Sequence, residues 1–290
     1  MRDTVEIRTL LRRRAAAVIR ERRRVRARGG SAAIHDLRVA TRRLQEILRV
    51  CEPFLPTGPR RRLWRRARRI RNCLGAVRDA DVLVMRIGAL ARHLPAGERR
   101  AARAIADRVR RAAREARSGT RGTRSSGGFP VPGVRRRIEA LLETTRRTAV
   151  PVAARGRQAA EASLRVAALL LTGARRGDPE DLHALRIRIK RYRYALEIVE
   201  ESGHPEARPA IAEARRLQRC LGKVHDLDVL AELVRGWMKP AGERRVPGGR
   251  QAVRALVRRL DADRRLAVGD VRRTLDRFAP APRSASGGDQ

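Results

Sequence analysis

The chain has 290 residues, and its 70 Lys plus Arg against 31 Asp plus Glu leave a net charge of +39. Aromatic residues make up only 2% of it, and the longest apolar run, Val166 to Leu171, is far too short to span a bilayer. These features weigh against a transmembrane protein and against a sheet, and they point to a helical protein of one or two domains whose partner is a polyanion.

Apolar spacing predicts a first helix over Thr4 to Arg28, with Ile7, Leu11, Val18 and Val25 on one side and Gly29 and Gly30 at its end. Ser31 is placed to cap a second helix, which Glu52 and Pro53 close; Pro59 then opens a third through Leu63, Ala67, Ile70 and Leu74. Gly75 is expected to end that helix and Asp79 to cap a fourth, running through Val82, Val84 and Ile87 to the break at Pro95 and Gly97. A very basic fifth helix covers Glu98 to Arg117, so that residues 1–117 form an N-terminal helical unit. Residues 118–133 have the Gly, Ser and Pro content of a flexible linker between two halves.

The second unit, residues 134–278, opens with helical segments from Val134 to Leu171 that are interrupted at Pro151. Asp178 is the expected cap of the next helix, with Pro179 at its first position and Glu180 and Asp181 adding favourable charge there. After Gly203 to Pro205 a helix runs from Pro209 to Leu221, and Gly222 and Asp226 are expected to repeat the junction at Gly75 and Asp79. A further helix ends near Trp237 to Pro240, and a last one spans Arg250 to about Phe278. The tail, residues 279–290, is rich in Pro, Ser and Gly and is expected to be disordered. The pattern is all-α, with about ten helices.

Two stretches occur twice, in the same order. Ile34 to Val50, IHDLRVATRRLQEILRV, returns at Leu182 to Val199 as LHALRIRIKRYRYALEIV, and CLGAVRDADVL from Cys73 returns as CLGKVHDLDVL from Cys220. In the first pair His35, Arg38, Arg42 and Arg43 match His183, Arg186, Lys190 and Arg191. Helical spacing puts Ile34, Leu37, Thr41, Leu44 and Leu48 on one stripe, with His35, Arg38, Arg42 and Arg49 on a neighbouring one. The second copy repeats this with Leu182, Leu185, Ile189, Tyr192 and Leu196 beside His183, Arg186, Lys190 and Arg193. Each copy reads as a helix with a core face flanked by a basic face.

On these repeated helices and the repeated CLG motif the chain resembles the CHAD domain, the conserved histidine α-helical domain. The resemblance covers residues 1–280 as a single such domain. It implies two pseudo-symmetric antiparallel helical bundles, about four core helices in each, with a basic surface between them that holds inorganic polyphosphate without chemistry of its own. The site residues it points to are His35, Arg38, Arg42, Arg43 and Arg49 with His183, Arg186, Lys190, Arg191 and Arg193. It also implies association with polyphosphate granules in the cytoplasm. Where its signature would continue with another arginine three residues beyond Arg42 the chain has Gln45, while the second copy keeps Arg193, and Arg78 is answered by His225.

The residues themselves leave several readings open. Only Lys190, Lys223 and Lys239 are lysines, so the charge is almost all guanidinium, whose planar fork suits bidentate contact with phosphate oxygens. The stripe from Arg38 to Arg49 is roughly 16 Å long, enough for a linear polyanion, though an arginine stripe is also ordinary solvated surface, and Arg42 has Glu46 one turn away. His35 and His183 are either structural hydrogen-bonding groups or phosphate donors; in the second case binding weakens as pH rises through the histidine range. The pairs Asp79 with Asp81 and Asp226 with Asp228 read as helix-start carboxylates, as carboxylates that orient arginines, or as Mg²⁺ ligands of a phosphohydrolase. Nucleic acid is the rival polyanion, although Tyr192 and Tyr194 are the only aromatics near a basic motif and no helix-turn-helix or zinc-finger pattern appears. No nucleophile and base constellation stands out, and His93, His204 and His225 form no cluster in sequence, so no enzyme activity, metal or cofactor is expected. Cys51, Cys73 and Cys220 suggest neither a disulfide framework nor a zinc site, and the matched Cys73 and Cys220 are expected to be small buried residues.

Overall fold

The structure is a computed structural model that describes residues 7–28, 30–122, 134–145, 151–237 and 249–278; for Arg28, residues 76–79, Asp81 and residues 116–122 it describes the helix but not the side chains. Among these residues there are eleven α-helices, two short 3₁₀ turns and no strand. The helices are α1 (Ile7–Arg28), α2 (Ser31–Val50), α3 (Thr57–Cys73), α4 (Gly75–Ala91), α5 (Ala96–Gly122), α6 (Val134–Thr144), α7 (Val152–Leu169), α8 (Leu171–Arg176), α9 (Pro179–Glu201), α10 (Arg208–Gly236) and α11 (Gly249–Asp276).

Three apolar cores hold them together. The first gathers α1, α2, α3 and α6 around Leu10, Leu37, Leu44, Leu63 and Leu141. A second joins α7, α8, α9, the first half of α10 and the last half of α11 around Leu185, Tyr192, Leu217 and Val271. The third packs α4 and α5 on the far halves of α10 and α11 through Ile87, Ile105, Leu230 and Leu256. Helix α6, which follows the Gly- and Ser-rich segment, thus belongs to the first core, while α4 and α5 pack against the end of the chain. At 29 and 28 residues, α10 and α11 are each about 40 Å long, which lets them run through two cores.

The repeated stretches fold as α2 and α9, and their predicted core stripes are buried. Leu37 and Leu185 are both 0% exposed, and Leu44 and Tyr192 both 1%. Asp178 caps α9 as its sequence requires, accepting hydrogen bonds from the backbone N–H groups of Glu180 (2.9 Å) and Asp181 (3.2 Å). Pro151 stands just before α7. Helix α7 approaches α9 tightly at Gly156, where a Cβ would stand 2.7 Å from Val199 Cγ2 and 3.2 Å from the Ala195 carbonyl oxygen, an approach that the missing side chain permits.

Several expectations are corrected. Helix α2 begins at Ser31 itself, with Gly30 at φ 95° before it, so the left-handed glycine rather than a Ser31 cap sets the turn. Gly75 starts α4 instead of ending α3; Leu74 is the residue between them, and its side chain is 1% exposed, so the break follows a core anchor. Asp79 therefore lies inside α4, and its side chain and that of Asp81 lie outside the described residues. In the second copy there is no break: α10 passes through Gly222 and Asp226, so neither residue stands at a helix end and Asp226 caps nothing. Helix α5 continues to Gly122, five residues into the segment read as linker; residues 123–133 and the tail from residue 279 lie outside the described residues. Cys73 is exposed and Cys220 only half-buried, because Leu74 and Leu221 beside them take the core positions. Cys51 is the buried thiol, and burial pushes it up to about 12.

Candidate polyanion-binding surface

Helix α2 packs on α9, which brings together basic faces that are about 150 residues apart in the chain. On α9, Arg186, Lys190 and Arg193 follow one another at four and three residues and so stack on one face, and Arg38 and Arg42 of α2 do the same. The two sets meet at Lys190. Burial first, and then Arg186, Arg42, Arg193 and Arg38 in that order, pull the Lys190 amine down to about 7. An amine that loses its charge so readily marks a place where cations are crowded and water is partly excluded.

The surface extends onto α3 and α10. Arg38 Nη1 donates to the backbone carbonyl of Arg71 at 3.4 Å, and Arg71 Nη1 donates to Gln45 Oε1 at 3.2 Å. Burial and then Arg42 and Arg68 lower Arg71, which places three guanidiniums of α2 and α3 side by side. Gln45 thus serves as an acceptor that steadies Arg71. On the other side the ring of His183 stands 5.4 Å from that of His225 in α10. Burial, with Arg186 next, pushes His225 down from its ordinary value, so it is held neutral against its cationic neighbours.

The remaining residues of the basic faces are placed differently. Arg43 Nε donates to Glu197 Oε2 at 2.9 Å, and Arg193 and Arg215 reach the other oxygen at 3.5 and 3.3 Å. Glu197 is 3% exposed; burial raises its carboxyl, but Arg43, Arg193 and Arg14 outweigh burial and hold it below the usual carboxylate range. Arg193 also lies over the Tyr194 ring, 4.4 Å from its centre. Arg49 folds back on the buried Glu46, and Arg191 lies near it beside Arg188. His35 and His183 are exposed, each one turn into its helix.

The arrangement thus collects Arg38, Arg42, Arg186, Lys190 and Arg193 around one point, keeps Arg43 and Arg49 on buried carboxylates, and adds Arg68, Arg71 and His225. Sequence reasoning missed these three. The dense arginine run just before the first CLG motif was the available signal for Arg68 and Arg71, and the exchange of Arg78 for His225 was the signal for the histidine. The second D-x-D pair points its carboxylates at arginines: Asp226 accepts from Arg86 Nη2 at 2.7 Å, and Asp228 pairs with Arg264. No group of three or more His, Cys, Asp or Glu side chains gathers among the described residues, and no helix among them is long and apolar enough to cross a membrane.

Known proteins share this fold. The chain is similar to a structure described as PptA from Streptomyces chartreusis, with a TM-score of 0.70 and 17% identity over 93% of this chain and 98% of that one. It is also similar to the CHAD domain from the plant Ricinus communis, with a TM-score of 0.61 and 22% identity over 94% of this chain and 93% of that one. No curated protein matches it in sequence. Residues 9–235 match the CHAD domain family, a span that contains both basic helices and both CLG motifs, and the chain therefore belongs to the CHAD domain family.

Proposed function

We propose that the chain binds inorganic polyphosphate along the surface where α2 and α9 meet, and that it holds the polymer without transforming it. The observation that carries this reading is the collection of four guanidiniums around Lys190 from two helices that are far apart in the chain but packed together. Such crowding is unfavourable in the free protein, and a chain of phosphates relieves it while releasing its own condensed counterions. Guanidinium forks match the phosphate oxygens in pairs. Arg38, Arg42, Arg186, Lys190 and Arg193 form the centre of the proposed track. His183, His225, Arg68 and Arg71 flank it, and Arg49 and Arg191 extend it. A site built mostly of guanidiniums, with Asp226 and Asp228 engaged by arginines, is better suited to holding a polymer than to acid–base chemistry on it. In a cell this surface would gather the protein on polyphosphate granules in the cytoplasm.

A competition titration tests the reading. Labelled long-chain polyphosphate is bound at about physiological ionic strength and displaced by unlabelled polyphosphate, DNA or RNA, with an Arg38→Ala, Arg42→Ala, Arg186→Ala, Lys190→Ala variant alongside. Polyphosphate should compete far better per charge than either nucleic acid, and the variant should lose that preference. Equal competition by DNA or RNA, with an unaffected variant, would make the protein a general polyanion binder.

A further inference from the structure

The centre of the cation cluster is occupied by the wrong residue for a site of permanent charge. The chain has 70 Lys plus Arg but only three lysines, and one of them, Lys190, lies on α9 where that helix packs on α2, on the face it shares with Arg186 and Arg193 and beside Arg38 and Arg42 of α2. It is half-buried, neither sealed in a core nor fully in solvent. Lys223 offers a contrast within the same chain: its side chain is 50% exposed and its Nζ lies 3.3 Å from Asp270. Lys239 lies outside the described residues.

The surroundings of Lys190 provide two things that an amine nucleophile needs. Neighbouring cations and partial desolvation favour its neutral form, the usual way in which proteins activate lysine. Guanidiniums, which surround it, are also the side chains best suited to pair with phosphoryl oxygens. A small molecule that carries an electrophilic carbon directly on a phosphate oxygen would be drawn in by its phosphate and would present that carbon to the amine.

We propose that Lys190 is an acylation site for acyl phosphates, and that its acylation closes the polyanion surface. The amine lone pair attacks the carbonyl carbon, forming a C–N bond; the bond from that carbon to the phosphate oxygen breaks, and inorganic phosphate leaves with the electron pair among the arginines. The amine proton passes to the departing phosphate or to solvent. The product is a neutral amide, and nothing is oxidised or reduced. Arginine at this position would keep its charge permanently, so a lysine makes the centre of the cluster the one point that acyl transfer can discharge. An amine held at about 7 is roughly half neutral at neutral pH, whereas an ordinary lysine near 10.4 is almost wholly charged. The acylation step stands on the cluster alone; its consequence for the surface rests on the polyphosphate reading above.

The test uses the full chain and acetyl phosphate at pH 7, with the occupancy of each lysine followed over time by mass spectrometry. Lys190 should acquire acetyl at least about tenfold faster than Lys223, and inorganic phosphate should slow Lys190 without slowing Lys223. Arg42→Gln with Arg186→Gln should erase most of the preference. A neutral acetylating ester should show a smaller preference, because it lacks the group that the arginines attract. Equal rates at the two lysines, or no protection by inorganic phosphate, would overturn the proposal. Binding of polyphosphate by the acetylated protein is then measured separately. Fast, phosphate-protected acetylation with undiminished polyphosphate binding would leave the acylation site standing and remove the polyphosphate reading of this centre.

Discussion

Two arginine clusters lie within two turns of each other on α9, and they solve opposite problems. Around Glu197 the guanidiniums of Arg43, Arg193 and Arg215 converge on a buried carboxylate, which ends with its charge well compensated. Around Lys190 the guanidiniums of Arg38, Arg42, Arg186 and Arg193 converge on another cation, which ends with its charge suppressed. Arg193 belongs to both. The same residue type therefore fastens α2 and α10 to α9 in one place and crowds cations together in the next, where we propose that anions bind. What decides between the two roles is the sign of the residue at the centre, not the number of arginines around it.

The sharpest way to break this contrast is to remove the cations of the second cluster. The four-residue variant at Arg38, Arg42, Arg186 and Lys190 should bind polyphosphate roughly a thousandfold more weakly, since each lost charge-assisted contact costs at least about 1 kcal/mol. Its salt dependence should flatten in the same titration. Glu197→Ala attacks the first cluster. It leaves three guanidiniums around a buried gap and should cost about 3 kcal/mol of stability, read from denaturant midpoints. Because the folded carboxyl of Glu197 is held low, its contribution is present above the ordinary carboxylate range and is lost as pH falls through its folded value; Glu197→Gln should weaken that acid dependence.

The pH response sharpens the comparison further. The folded value of Lys190 is about 7, below its unfolded value near 10.4. Between those values the unfolded chain binds more protons, so the stability of the free protein should rise with pH across that window, and Lys190→Met should remove that rise in thermal melts. Polyphosphate affinity should move the other way. The ligand favours the charged amine, so affinity is greatest below about pH 7 and declines above it, while Lys190→Arg should make binding nearly flat with pH. The smallest expected effect is that of His225→Ala. The ring is kept neutral at the edge of the cluster, and its loss should change affinity by less than about tenfold.

Much of this was legible in the sequence. The core stripes of α2 and α9 and the Asp178 cap are local patterns of spacing and residue type, and the pairing of the two basic helices was implied by their repetition together with the family resemblance. Junctions were harder. The two CLG motifs look alike, yet one holds a break at Leu74 and the other lies inside an unbroken α10, because the path of each helix is set by the core it joins rather than by its own glycine. The division of the basic face was also hidden. Arg42 and Arg43 are neighbours in sequence, but one faces Lys190 and the other Glu197, which is 154 residues away. No local pattern carries that information. The exchange of Arg78 for His225 singled out the histidine, but only the packing of α10 on α9 sets it against His183.

The central claim is that position relative to Lys190, and not overall charge, governs binding. The most direct measurement compares polyphosphate affinity, at one salt concentration, for two charge-matched variants: Arg38→Ala with Arg186→Ala, and Arg43→Ala with Arg215→Ala. Both lose two positive charges, and circular dichroism serves to check that each remains folded. The account predicts a loss of at least about tenfold in the first and little change in the second. Equal losses in the two would contradict it, because polyphosphate would then be responding to the net charge of the whole surface.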